Sequence, residues 1–200
     1  TLTGAQLRSV LEEQWQPAGS SRPYLQLGLS SNVSYTYNSG AAAGSRIGRI
    51  MVNGKLVNAT DTFRIGSFSF LLAGGDNFNT FKAGTRTLDS GLVDYEAWID
   101  YLKANSPVKP SFAKHGVGVT SSISAKVGQS YTLSVSSLDL TSLGSPANTT
   151  LKVTVDGEVV ADNVPVTKGA AQTTFIVKHN GPVVLTANPS RFEGGREEAV

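Results

Sequence analysis

Cysteine is missing from all 200 residues. Its absence removes disulfides, thiolate zinc sites and cysteine nucleophiles, and it suits an exported bacterial protein. Histidine is nearly missing too: the chain has His115 and His179 and no others. Both follow Pro107, so the first half has no imidazole for metal binding or acid–base chemistry. No apolar run approaches the roughly 20 residues of a membrane-spanning helix. Charge of one sign is also scarce. The net charge is +2, with nine Lys/Arg and eight Asp/Glu up to Pro107, and eight and seven after it. Neither half is a polyelectrolyte, so no nucleic-acid partner is expected. The first residue is Thr1 rather than Met, which leads us to expect a cut or processed piece of a longer chain.

What is present is apolar alternation through most of the length, with 40% hydrophobic residues, which argues for folded structure over disorder. Thr3-Gly4-Ala5-Gln6 reads as a capping box that opens a helix. Leu7, Val10, Leu11 and Trp15 follow at helical spacing, and Pro17 and Gly19 end it. Tyr24 to Leu27, Val33 to Tyr37 and Arg46 to Val52 read as strands. Asn53-Gly54 is a two-residue hairpin signal, because both positions tolerate positive φ, with Lys55 to Val57 returning. Thr62 to Ser67 reads as a further strand. A second helix is expected from Asp94, acting as N-cap, with Trp98, Tyr101 and Leu102 on its buried face and Asn105-Ser106-Pro107 as its stop.

After Pro107 the texture changes. Ser, Thr and Val dominate and helical periodicity disappears. Tyr131, Leu133 and Val135 alternate with polar neighbours, as do Leu151, Val153 and Val155. Asp156-Gly157 and Asn180-Gly181 mark turns. Short alternating strands joined by such turns read as an all-β, immunoglobulin-like sandwich. The expected division is therefore 1–107, 108–192 for the sandwich, and a charged tail at 193–200.

The stretch that bears on chemistry is Phe70-Leu71-Leu72-Ala73-Gly74-Gly75-Asp76-Asn77-Phe78. A glycine pair lets the backbone turn with positive φ or approach a ligand closely. The Asp76 carboxylate at that turn could accept hydrogen bonds from a vicinal diol, and Phe70 offers a flat apolar face. Ring, turn and acceptor would suit a nucleoside. From spacing and composition alone, the same residues read more readily as ordinary turn chemistry, with Phe68, Phe70 and Phe78 all in the core.

These pieces, in this order, resemble the C-terminal domain of the 5′-nucleotidase family. The resemblance runs from about Leu2 to Ser106. It is carried by Leu2-Thr3-Gly4-Ala5-Gln6-Leu7, Tyr24 to Leu29, Tyr35-Thr36-Tyr37, Arg46-Ile47, Val52-Asn53-Gly54, Phe70 to Phe78 and Ser90 to Asp94. It implies an α+β fold for this part: the later portion of a 5′-nucleotidase C-terminal domain. By position, Phe70 matches one of two rings that sandwich the nucleobase. Asp76 matches the carboxylate that binds the ribose, and Gly74 and Gly75 the backbone that shapes the pocket. The family often carries Asn before that Phe and Gly after that Asp, where this chain has Ser69 and Asn77.

By the same resemblance, the second ring, the phosphate-gripping segment and the two-metal phosphoesterase domain lie upstream of the position matching Thr1. The chain would then hold no catalytic residue, no metal ligand and no cofactor of its own. Two divalent metal ions would sit in the N-terminal domain that it lacks. Arg46, Arg49 and Arg64 read as solvated strand residues more readily than as phosphate ligands. The implied whole is a secreted bacterial nucleotide hydrolase, extracellular or cell-wall associated. The rival reading is a non-enzymatic surface spacer or adhesion module. With part of its usual packing partner gone, the opening helix is expected to expose Leu7, Val10, Leu11 and Trp15 and to promote self-association.

Overall fold

The computed structural model describes residues 1–109, 111–121, 126–142, 144–179 and 183–189. The chain divides into two compact units, Thr1–Pro107 and Val108–Val200. The Asn180-Gly181 turn and the tail at 193–200 lie outside the described residues.

The first unit opens with β1 (Leu2–Thr3) and α1 (Gly4–Glu12). The capping box forms as the sequence requires: Thr3 Oγ1 accepts from the Gln6 amide at 3.2 Å, and Gln6 Oε1 accepts from the Thr3 amide at 2.8 Å. Two donors that a helix start leaves unpaired are thereby satisfied. Glycine is needed at position 4, because a Cβ there would run into the Asn58 carbonyl. β1 pairs antiparallel with β5 (Thr62–Phe63). β2 (Val33–Tyr37), β3 (Ile47–Val52) and β4 (Lys55–Leu56) form an antiparallel sheet in that order. Asn53 and Gly54 turn β3 into β4 with φ of 52° and 72°, the paired positive values their sequence announces.

α1 is where the expectation of an exposed face fails. Leu7, Val10 and Leu11 are buried, Leu11 completely, and Trp15 is half-buried. Two clusters of this same chain flank the helix: Leu2 and Val10 pack with Phe78 and Phe81, and Leu7 and Leu11 with Ile47 and Ile50. The apolar stripe is thus covered by elements within residues 1–83, so Leu7, Val10 and Leu11 do not form the exposed patch expected to promote self-association.

Two further expectations change. Tyr24 to Leu27 forms no strand beyond a bridge from Tyr24 to Trp15. Instead it runs along the end of α1, where the Leu25 amide donates to the Gln14 carbonyl (2.8 Å) and the Leu27 amide to Gln14 Oε1 (2.9 Å). Gln14 is fully buried, and its Nε2 donates to the Leu11 carbonyl and to Tyr35 Oη. A buried amide with its partners in place substitutes for a strand ladder. The strand at Thr62 stops at Phe63, and Ser69–Leu72 forms a single helical turn, α2.

α3 spans Asp94–Asn105, with Val93 rather than Asp94 at the N-cap. Its expected buried face is exposed: Trp98 by 65%, Tyr101 by 55% and Leu102 by 45%. Among the described residues they join none of the unit's apolar clusters.

The second unit is all β among its described residues. β6 (Gly118–Ser121), β7 (Ser130–Ser136) and β10 (Ala171–Ile176) form one antiparallel sheet, in the order β10-β7-β6. β8 (Asn148–Val155), β9 (Glu158–Pro165) and β11 (Val183–Pro189) form another, in the order β11-β8-β9. The alternating residues do what alternation predicts. Leu133 and Val135 from one sheet and Leu151, Val153 and Val155 from the other are buried in one shared cluster, with Phe175 and Val177. Asp156 and Gly157 make the β8–β9 turn with positive φ. His115 is exposed, and His179 Nε2 lies 3.3 Å from Glu158 Oε2 at the surface.

Candidate functional site

Phe70 sits on α2 and Asp76 in the tight turn that follows, so one short stretch of chain places both. The Phe70 ring is 59% exposed and therefore not a core residue. Phe78, by contrast, is 1% exposed and is core, packed 6.3 Å from Phe81. Phe68 is exposed, like Phe70. The ambiguity of three phenylalanines in eleven residues is thus resolved by burial, which spacing alone could not do.

Both glycines are required by geometry. Gly74 turns the chain with φ of 84°, and a Cβ there would meet the Lys82 side chain. A Cβ on Gly75 would overlap the Phe70 ring, so that ring lies directly against the Gly75 backbone. Asp76 and Asn77 then adopt left-handed φ of 50° and 63°. Non-glycine residues seldom take such values, and runs of them concentrate where structure is held for a purpose.

The end of α1 and the segment after it hold this turn. Gln16 Nε2 donates to the Asp76 carbonyl at 2.9 Å, and Asn77 Nδ2 donates to Gln16 Oε1 at 2.8 Å. Arg22 Nη2 donates to Asp76 Oδ1 at 3.0 Å, an ion pair whose side chains are 64% and 35% exposed. Glu13 caps the next turn, accepting from the Thr80 amide at 3.0 Å and from its hydroxyl at 2.8 Å. Gln16 and Arg22 carry no sequence signal of their own. Arg22 sits in a Gly/Ser/Pro-rich connection, and only the fold brings it to Asp76, 54 residues away.

Beside this turn a shallow groove is lined by Trp15, Gln16, Arg46 and Asn77, among others; neither Phe70 nor Asp76 lines it. The Arg46 guanidinium lies 5.3 Å over the Trp15 ring, a cation–π contact. Arg49 and Arg64 are exposed. Trp15 also packs against Tyr24 and Tyr37, at 5.0 and 5.5 Å. Burial, then the neighbouring Tyr35, push the Tyr24 hydroxyl far above its usual range. Among the described residues no group of three or more His, Cys, Asp or Glu could hold a metal ion. No described helix is long and apolar enough to cross a membrane.

The family of the 5′-nucleotidase C-terminal domain matches residues 1–83, which include Phe70, the glycine pair and Asp76. The match supports a partial 5′-nucleotidase C-terminal domain over these residues. Three relatives agree. A 5′-nucleotidase-related protein of Glossina morsitans morsitans is 33% identical over 119 residues, covering 54% of this chain and 21% of the relative. The trifunctional nucleotide phosphoesterase protein YfkN of Bacillus subtilis is 30% identical over 110 residues, covering 51% and 7%. A 5′-nucleotidase of Vibrio cholerae is 33% identical over 66 residues, covering 33% and 12%. The chain thus spans 21% or less of the length of these relatives.

Proposed function

We propose that the 5′-nucleotidase C-terminal portion is the nucleoside-binding part of a secreted bacterial nucleotide hydrolase, with the base on Phe70 and the ribose on Asp76. The observation that carries this reading is the exposure of Phe70. A 59% exposed aromatic ring, seated on a glycine and followed six positions later by an ion-paired acid, has no role in the core. It is a ready stacking platform. Base stacking on an aromatic ring contributes about 1–3 kcal/mol, and a charged hydrogen bond to ribose about 1.5–3 kcal/mol. Gly74 and Gly75 shape the turn and keep side chains off the platform.

In this reading the intact protein is a 5′-nucleotidase-type phosphoric ester hydrolase. Two divalent metals in an N-terminal metallophosphoesterase domain would supply the activated water. The part played by this chain is positioning: it fixes the nucleoside so that the phosphate meets chemistry supplied elsewhere. The fragment alone is then inactive. Residues 1–107 form the binding domain and 108–192 an immunoglobulin-like spacer, in an extracellular or cell-wall protein. The alternative is a non-enzymatic surface or adhesion module, which has no use for an exposed ring beside an anchored acid.

Adenosine titration of the 200-residue chain, followed by amide chemical shifts, separates the two. The nucleoside reading expects weak, saturable shifts centred on Gly74 and Asp76. Shifts absent there, or spread evenly over the surface, favour the spacer.

A further inference from the structure

We propose that Arg22 is a positioning residue that sets specificity for the sugar, working through Asp76 to read a vicinal diol. This inference rests on the assignment of Asp76 to the ribose.

A lone carboxylate facing a diol offers two acceptor oxygens, one for each hydroxyl. Asp76 is not alone. Its Oδ1 is engaged by Arg22 Nη2 at 3.0 Å, which leaves Oδ2 as the acceptor for a ligand. A guanidinium carries five N–H donors. Among the described residues the Arg22 side chain bonds only to Asp76, and it is 64% exposed. The pair therefore presents a free acceptor and free donors side by side. A vicinal diol complements that arrangement: one hydroxyl donates to Oδ2 while its neighbour accepts from Arg22. A sugar lacking the diol leaves both groups unanswered.

The backbone supports the same conclusion. Asp76 and Asn77, both in left-handed conformations, are held by Gln16, which donates to the Asp76 carbonyl and accepts from the Asn77 side-chain Nδ2. Gln16 thus fixes where the carboxylate begins, and Arg22 fixes which way it faces. Both come from the seven-residue stretch 16–22 that follows α1, so one segment aims the acid. Arg22 contributes nothing to any apolar cluster, so its replacement is expected to leave the fold intact.

The test compares adenosine with 2′,3′-dideoxyadenosine, by amide-shift titration of the 200-residue chain and its Arg22→Gln variant. Far-ultraviolet circular dichroism confirms that both are folded. The wild-type chain is expected to prefer adenosine. In Arg22→Gln the preference is expected to fall about tenfold or more, through weaker adenosine binding, in line with the loss of a charge-assisted hydrogen bond, while dideoxyadenosine binds as before. An unchanged preference overturns the role of Arg22, as does an equal loss for both ligands, which would mark a purely structural effect. If the wild-type chain binds adenosine but does not prefer it, or does not bind it, the ribose assignment of Asp76 fails and the inference with it.

Discussion

α1 and α3 carry similar sequence patterns and meet opposite fates. Each has large apolar residues at helical spacing and polar residues between them. α1 is anchored by its capping box and covered on two flanks, so that Leu11 is completely buried. α3 leaves Trp98, Tyr101 and Leu102 in solvent and has no side-chain cap. The difference shows that periodicity declares a face apolar without saying what will cover it. Cover comes from elements distant in sequence, here β3 and the turns around Phe78 and Phe81.

That contrast can be broken in several places, all read by urea unfolding of the first unit through the fluorescence of Trp15 and Trp98, both of which lie in it. Leu11→Ala is expected to have the largest effect, a loss of about 2–5 kcal/mol, because it empties a fully buried site. A loss below about 1 kcal/mol would mean the α1 interface is looser than its burial indicates. Gln14→Ala comes next, at about 1–3 kcal/mol, since the Leu27 amide loses its acceptor in the interior. Thr3→Ala should cost about 1 kcal/mol through the lost cap. Leu102→Ala, on α3, should stay within about 0.5 kcal/mol, as exposed substitutions do. A loss comparable to that of Leu11→Ala would show that α3 is covered in solution and erase the contrast.

The parts that were legible in the sequence are those fixed by local chemistry. The capping box at Thr3 and Gln6 and the Asn53-Gly54 hairpin needed only neighbours to form, and alternation alone marks which side chains of the second unit's strands turn inward. What was not legible depended on distant partners. Tyr24 to Leu27 looks like a strand by alternation, but the buried amide of Gln14 claims its backbone donors. The face of α1 looked orphaned, and Ile47, Ile50, Phe78 and Phe81 cover it. At the candidate site, the ring, the glycine pair and the acid form one contiguous run, so they could be read together. Gln16 and Arg22 could not, because their roles exist only once the chain has folded back on the turn.

The exposure of Phe70 is what separates a nucleoside platform from a loop. The most direct measurement is the adenosine affinity of the 200-residue chain compared with its Phe70→Ala variant, by amide-shift titration at Gly74 and Asp76. Loss of one stacking surface should weaken binding about tenfold or more and leave the unfolding midpoint unchanged, since the ring is not core. Equal affinity in the two proteins would contradict the account.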